Sequence, residues 1–307
     1  CDAAVAAGAT RVFGAGAARV QPGATPVVSY AVRDEERRAR GRLVVGADGR
    51  RSSVRQRLTG ATRGEERHLL AGLLVEDLHD LWEAADVQTV EDRVFFLGLP
   101  QGGGRARVYL AFEHADRARF ARPGRERAFL EACRPRTLRQ GDIWAAGRPA
   151  GPCAIFTGED LVTDSPVGPG VVLVGDAAGY ISPLVGQGLS MALRDVREVT
   201  ELLRASGDWS VRALQPYVTQ RSERMRRLRA ITELYSAVFA DFSPGIARRR
   251  LRVAERMEAE AALALPFAAV FAGPELVPSA GFVDQVRERL LAPDAASAAS
   301  ATVEVDR

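Results

Sequence analysis

The sequence predicts an α/β fold in which a three-layer domain is interrupted by a mixed sheet and followed by helices. Two short apolar runs carry this prediction. Residues 42–45 run into Gly46 and residues 171–174 run into Gly175, and an aspartate follows each glycine closely. Such runs are typical of strands buried in a parallel sheet. Strand-like segments separate the two runs and helical spacing follows the second, which favours a nucleotide-binding domain with a sheet-rich insertion.

The other elements are predicted from apolar spacing and from turn residues. In chain order they are the end of a helix at 1–10, a short strand or loop at 11–20, a strand at Val27–Val32, a charged turn at 33–38, strands at 68–75, 93–99 and 107–112, a hairpin-like turn at 100–104, a helix at 126–133, a helix after Gly188 with apolar positions 189, 192, 193, 196, 199 and 203, a helical series from Tyr217 to Phe239, and a helix at 248–265.

These elements suggest five consecutive regions. They are the first part of the nucleotide-binding domain at 1–67, a sheet-rich substrate domain at 68–164, the second part of the nucleotide-binding domain at 165–206, C-terminal helices at 207–292, and a disordered Ala/Ser-rich tail at 293–307.

Composition excludes several classes of protein. The chain has 307 residues, 47% of them hydrophobic, so it can bury a substantial core. The net charge of +3 gives no reason to expect nucleic acid as a partner. The three cysteines have no metal-ligand spacing and predict no disulfide framework. No membrane span or signal peptide is visible, so we expect a cytoplasmic protein.

The start of the chain is unusual. It begins at Cys1, and its first methionine is Met191. We therefore expect the natural N-terminus to precede Cys1.

The first glycine–aspartate segment is Gly46-Ala47-Asp48-Gly49, followed by a helix that starts at Ser52 or Ser53. Glycine permits close approach of the backbone to a ligand, and a helix N-terminus offers free amides to phosphate. The carboxylate of Asp48 either accepts hydrogen bonds from sugar hydroxyls or caps the following turn. The segment alone leaves both interpretations open.

The second segment is longer and more specific. It runs Gly175-Asp176-Ala177-Ala178-Gly179 and continues through Pro183 to Gly186-Gln187-Gly188 at the start of a helix. Small residues leave room for a ligand against the backbone, and the glycines around Gln187 favour amides that point at an electron-rich group. The alternative is an ordinary strand–loop–helix crossover with an aspartate cap.

Together the two segments resemble the flavoprotein aromatic hydroxylases, the group typified by p-hydroxybenzoate hydroxylase. The resemblance implies an FAD/NAD(P)-binding domain whose cofactors are FAD and NAD(P)H. It implies FAD contacts at the following positions: Gly46, Asp48, Gly49, Arg55, Gly175, Asp176, Ala177, Pro183, Gly186, Gln187 and Gly188. Asp48, Gly49 and Arg55 would lie near the pyrophosphate, and Asp176 would hold the ribityl hydroxyls. Pro183 and residues 186–188 would lie beside the flavin ring.

The implied activity is NAD(P)H-dependent hydroxylation of an aromatic or polyketide-like small molecule by oxygen, through a flavin hydroperoxide. Two features depart from the family pattern. Its Gly-x-Gly-x-x-Gly turn is absent, and Gly179 stands where many members have histidine. Glycine there is common in geranylgeranyl reductases and flavin halogenases.

Aromatic residues distinguish this sequence from those relatives. Halogenases usually carry a Trp-x-Trp pair, whereas Trp82, Trp144 and Trp209 are far apart here. The Tyr-x-Trp-x-Phe-Pro segment of the reductases also has no close match at residues 93–100. Hydroxylase is therefore the preferred function. A reductase of a C=C bond, or a non-catalytic flavin-binding remnant, stays as the alternative.

No catalytic residue identifies itself. His68, His79 and His114 are interpreted as surface or structural residues. The substrate is expected over the middle sheet, and the candidate lining residues are Phe95, Phe96, Tyr109 and Phe112, half of which must point away. The arginines at 221, 224, 226, 227, 229 and 248–250 are interpreted as solvated helix faces rather than a surface for an acidic partner or a membrane. The sequence does not determine the oligomeric state.

Overall fold

The computed structural model describes residues 1–16, 18–81, 86–138 and 141–293. Trp82 and the tail at 294–307 lie outside the described residues. The chain forms two compact units. The first, called here the loop unit, contains Cys1–Gly64, Asp160–Tyr180 and Gln187–Met225, and the second, called the sheet unit, contains Glu65–Glu159, Ile181–Gly186 and the chain from Arg226 onward.

The strands of the described residues are, in chain order, β1 Arg19–Gln21, β2 Val27–Val32, β3 Glu35–Arg40, β4 Val44–Gly46, β5 Ala61–Arg63, β6 Leu69–Glu76, β7 Val87–Glu91, β8 Val94–Gly102, β9 Arg105–Phe112, β10 Arg148–Pro149, β11 Ala154–Thr157, β12 Leu161–Thr163, β13 Val167–Gly168, β14 Val171–Leu173 and β15 Gly179–Tyr180.

The α-helices of the same residues are α1 Asp2–Ala6, α2 Ser53–Leu58, α3 Arg117–Ala121, α4 Arg125–Ala132, α5 Gly141–Ala146, α6 Gly188–Ala205, α7 Gln215–Phe239, α8 Ile246–Ala259, α9 Leu265–Ala272 and α10 Asp284–Leu291. Short 3-10 helices occupy His114–Asp116, Gly175–Ala178, Pro183–Val185, Ala261–Ala264, Pro274–Leu276 and Ser279–Phe282.

The two predicted apolar strands are neighbours in the loop unit. β4 and β14 pair in parallel, with Val44 beside Val171 and Gly46 beside Leu173. β14 is fully buried, as predicted, but Val45 of β4 is 50% exposed. Parallel pairing brings the carboxyl ends of both strands to one edge, so the two glycine–aspartate segments meet there.

The predicted charged turn at 33–38 is wrong in extent. Only Arg33 and Asp34 turn, with φ of 50° and 66°. The chain then returns as β3, which pairs antiparallel with β2. Charge masked this strand because every residue of β3 is exposed, so its sequence carries no alternation.

The sheet unit contains the predicted strands 68–75, 93–99 and 107–112 as β6, β8 and β9, in the strand order β10-β6-β9-β8-β7 with β11 also on β6. Its two faces differ. Phe96 packs on Trp144 of α5 and Phe112 on Phe120 of α3. Phe95 packs on Phe239 and Tyr109 on Phe156. The structure therefore separates the four candidate lining residues into two pairs.

The helices confirm the predicted helical spacing, but the apolar positions of α6 are largely exposed. In α6 the apolar positions Leu189, Leu193 and Val196 are 73%, 63% and 51% exposed. The buried residues are Met191, Asp195 and Val199. The helix was predicted correctly and its buried face was not, because a buried aspartate occupies the centre of that face.

The arginines of α7 need the same correction. Arg221 and Arg224 are buried, although they were interpreted as part of a solvated face. The predicted helix at 248–265 is also divided, since α8 ends at Ala259 and α9 begins at Leu265. Among the described residues, no helix has the length and apolar character needed to cross a membrane.

Candidate functional site

The first glycine–aspartate segment is held by local contacts. Asp48 Oδ2 accepts hydrogen bonds from the backbone N–H of Ser53 at 2.7 Å and of Val54 at 3.3 Å. The hydroxyls of Ser52 and Ser53 also donate to this carboxylate. Burial raises the pKa of Asp48, but these hydrogen bonds outweigh it and the pKa lies below its ordinary value. The carboxylate is therefore in its negatively charged form, and in this form it holds the start of α2.

Gly46 is required by packing. A Cβ at this position would lie 2.6 Å from the side chain of Leu173 and 3.0 Å from that of Val54. The strand can approach its neighbour and α2 only because residue 46 has no side chain.

The second segment forms a 3-10 helix, Gly175–Ala178, directly after β14. Asp176 is half-buried on this turn. Burial raises the pKa of Asp176 above its ordinary value, and the positive charges of Arg50, Arg221 and Arg55 oppose that rise. The carboxylate is thus partly withdrawn from water in a positively charged surrounding.

Gly179 has a structural reason to be glycine. Its φ is 109°, and a Cβ would lie 2.7 Å from the carbonyl oxygen of Leu161. Strand pairing of β15 with β12 brings that carbonyl close. Any side chain at this position would strain the backbone and displace β12.

Arg55 joins the two segments. Its side chain is buried, and Nη1 donates to the carbonyl oxygens of Asp176 at 3.1 Å and Ala177 at 3.0 Å. Nη2 donates to the carbonyl of Arg50 at 2.6 Å. In the described structure the guanidinium therefore hydrogen-bonds to the backbone of the second segment, and its position near the pyrophosphate, which the resemblance implies, stays a prediction.

Sequence reasoning missed a buried ionic cluster next to the second segment. Asp195 of α6 is fully buried and accepts hydrogen bonds from Arg221 Nε at 2.9 Å and Arg224 Nη1 at 3.3 Å. A polar residue between Met191 and Val199 at helical spacing was the available signal. The second signal was a pair of arginines three residues apart on the next long helix, which can neutralise the buried carboxylate.

The remaining predicted contacts lie in different units. Gln187 precedes α6 as its N-cap and Gly188 is its first residue, in the loop unit. Pro183 opens a 3-10 helix and Gly186 ends it, in the sheet unit. A Cβ at Gly49 or Gly188 would meet no atom within 4 Å in the described residues. The loop unit therefore leaves open space beside both positions.

His68 is buried in the sheet unit. Its Nε2 lies 3.4 Å from Ser182 Oγ, and within the described residues its Nδ1 has no hydrogen-bond partner. Burial, with the nearby charges of Arg67 and His114, lowers the pKa of His68 to about 4. The imidazole is neutral at neutral pH, which agrees with the structural interpretation and excludes the surface one.

A cavity of about 850 Å³ lies at the other end of β14. Its lining residues include Arg40, Arg42, Gly170 and Trp209. Gly170 precedes β14, whereas the glycine–aspartate segment follows it, so this cavity is separate from the candidate site.

The fold and the paired glycine–aspartate segments define a flavoprotein domain. The FAD binding domain family matches residues 2–232, and the chain belongs to that family. FAD is accordingly the cofactor of the domain, as the resemblance predicted.

Individual proteins are similar to the chain in sequence or in fold. Ubiquinone hydroxylase UbiL of Rhodospirillum rubrum is 30% identical over 227 residues, which are 71% of this chain and 52% of that protein. The flavin-dependent halogenase CmlS has a TM-score of 0.68 at 16% identity, over 94% of this chain and 56% of its own. Klebsiella pneumoniae HpxO, complexed with FAD and uric acid, has a TM-score of 0.62 at 20% identity, over 84% of this chain and 66% of its own. The chain thus spans about half the length of the curated relative that it matches.

Proposed function

We propose that the chain is part of an NAD(P)H-dependent monooxygenase that hydroxylates an aromatic or polyketide-like small molecule. The observation that carries this proposal is the half-buried Asp176 on a turn after a buried parallel strand, in a chain that belongs to the FAD binding domain family. The similarity to a ubiquinone hydroxylase supports oxygen insertion rather than another flavin reaction.

The residues fit FAD by their chemistry. Asp176 offers a carboxylate to sugar-like hydroxyl donors, and the start of α6 at Gly188 offers backbone N–H groups to an electron-rich ring edge. Bound FAD would supply the redox chemistry by which NAD(P)H reduces molecular oxygen, with one oxygen atom passing to the substrate and the other leaving as water. Arg50, Arg55 and Arg221 make the surroundings of Asp176 favourable for negative charge.

The substrate is proposed to lie on the sheet face that carries Phe95 and Tyr109. Phe96 and Phe112 lie on the other face, against α5 and α3. Phe95 is buried against Phe239, so Tyr109 is the half-exposed residue of the four. Aromatic side chains on the opposite face offer an apolar, water-poor surface for an aromatic substrate.

The test of the activity uses the protein expressed from the complete gene, with FAD, NADH or NADPH, oxygen, and a panel of phenols and polyketide-like aromatics. Consumption of the nicotinamide nucleotide and a product heavier by one oxygen atom are expected. A product that gains only hydrogen would contradict hydroxylation in favour of the reductase. A product that gains halogen in the presence of chloride or bromide would contradict it in favour of a halogenase.

Asp176→Asn tests the proposed FAD contact. Loss of the charged acceptor should raise the dissociation constant for FAD about tenfold. Because burial raises the pKa of Asp176, the ionised carboxylate costs stability at neutral pH, so the free energy of unfolding should stay the same or increase. Fluorescence titration of FAD and urea unfolding measure the two effects.

Asp34→Asn is the matched control, because Asp34 lies in an exposed turn with positive φ that asparagine tolerates. It should change neither quantity. An unchanged FAD affinity in Asp176→Asn would remove this residue from the proposed site.

A further inference from the structure

The turn that carries Asp176 has all its carbonyl oxygens occupied by two arginines. Arg55 takes the carbonyls of Asp176 and Ala177. Arg221 takes the other three. Its Nη1 donates to Ala178 at 2.8 Å, a carbonyl that also accepts from Thr163 Oγ1 at 2.8 Å. Its Nη2 donates to Gly175 at 3.1 Å and to Gly179 at 2.9 Å. Five consecutive carbonyls, from residue 175 to residue 179, thus point at guanidinium groups.

This arrangement depends on arginine chemistry. A guanidinium presents five N–H donors in a planar fork, and hydrogen bonds from a charged donor are stronger than those between neutral groups. Arg221 is 3% exposed and Arg55 is 4% exposed, so both act where water is excluded. A buried carbonyl that loses its donor is left with an unmet desolvation cost.

Asp195 fixes the Arg221 side of the arrangement. Its Oδ2 accepts from Arg221 Nε and also from the backbone N–H of Gly175, each at 2.9 Å. The carboxylate therefore compensates the buried charge and orients the fork toward the turn. It also holds the first residue of the turn directly.

The consequence concerns what the turn offers to a ligand. Because its five carbonyl oxygens face the arginines, the acceptor that the turn has left for hydroxyl donors is the carboxylate of Asp176. Carbonyl oxygens turned toward the ligand would repel phosphate or a negatively charged ring. The positive charges of Arg55 and Arg221 instead attract phosphate or a negatively charged ring.

We propose that Arg55 and Arg221, with Asp195, are positioning residues that present Asp176 to FAD. This inference rests on the proposed role of Asp176. Neither arginine is required to touch the cofactor, since each acts through the carbonyls of the turn.

The first test follows the turn itself, in the full chain without added FAD. Hydrogen exchange of peptides within residues 171–180 should become at least about tenfold faster in Arg221→Gln and Arg55→Gln, because each variant removes charged donors from buried carbonyls of the turn. Arg221→Lys keeps the charge but not the fork, and intermediate exchange is expected.

Arg224→Gln is the matched control. Arg224 is on the same helix, is equally buried and shares Asp195, and it donates to Asp195 and Gln220. Its exchange should stay near the wild-type rate in residues 171–180. Unchanged exchange in Arg221→Gln, or equal acceleration in Arg224→Gln, would overturn the positioning role.

The second test is FAD affinity. The dissociation constant should rise about tenfold or more in Arg221→Gln, less in Arg221→Lys, and little in Arg224→Gln. Wild-type affinity in Arg221→Gln together with a loosened turn would overturn the proposal. Absence of FAD binding by the wild-type chain would count against the proposed site, whereas hydrogen exchange still decides whether Arg221 orders the turn.

Discussion

Asp48 in residues 46–49 is held by hydrogen-bond partners four to six positions along the chain. The segment at 175–179 is held by partners from 15 to 122 positions away. Both segments follow a short strand, and both place an aspartate beside glycine. The first is ordered by the helix that it starts. The second is ordered by side chains from three helices: Arg55 of α2, Asp195 of α6 and Arg221 of α7.

The contrast separates two ways of using the same short motif. A carboxylate satisfied by its own helix is anionic and structurally committed, as the lowered pKa of Asp48 indicates. At Asp176 the arginines bind the backbone carbonyls of the turn, so the carboxylate oxygens can accept hydrogen bonds from another partner. Burial raises the pKa of this carboxylate. The second segment is therefore the better ligand-binding candidate of the two.

The largest loss in the free energy of unfolding is expected when the buried contacts of Asp195 are removed. Asp195→Ala leaves Arg221 and Arg224 buried without their carboxylate and removes the acceptor of the Gly175 N–H. Removing one partner of a buried ion pair costs about 3–5 kcal/mol. Urea unfolding of the full chain measures this loss.

Glu201→Ala on the same helix is its control. Glu201 is exposed and its ion pair with Arg197 is long. Its free energy of unfolding should change by less than about 0.5 kcal/mol. A loss below about 1 kcal/mol in Asp195→Ala would mean that the buried cluster does not support the second segment.

A smaller effect is expected at the first segment. Asp48→Ala removes the acceptor for the first N–H groups of α2, and loss of such a cap costs about 1 kcal/mol. Since the folded pKa of Asp48 is lowered, its contribution is present above its unfolded pKa and is lost as pH falls through the folded value.

The pH dependence distinguishes the two aspartates. Urea unfolding at pH 7 and at pH 3 should show the cost of Asp48→Ala shrinking as the pH falls. Asp176 has the opposite sign, because its pKa is raised and its ionisation with rising pH opposes folding. The same trend in Asp48→Ala and Asp176→Asn would remove the contrast between the segments.

The smallest expected effect tests the face of α6. Leu193→Gln changes an apolar residue that is 63% exposed, so the free energy of unfolding of this chain should change by less than about 0.5 kcal/mol. Val199→Ala, on the buried face, should cost more because it removes packed methyl groups. A larger loss of the free energy of unfolding in Leu193→Gln would indicate that the apolar positions of α6 are buried.

Much of the framework was predictable from the sequence. The strand at Val27–Val32, the two strands that end at glycine and the long series from Tyr217 to Phe239 follow from local spacing. The family resemblance predicted FAD, and the family match confirms it. The predicted domain boundaries and FAD contacts stay predictions.

The sequence by itself determined where strands give way to glycine–aspartate turns, because spacing and turn residues are local properties. Only the tertiary structure decided that Asp195, Arg221 and Arg224 are buried. Charged residues in a helix are ordinarily solvated, and these leave water only because α6 and α7 bring opposite charges 26 and 29 positions apart into contact. The same packing turns the carbonyls of residues 175–179 toward arginines and leaves Asp176 as the acceptor that the turn presents.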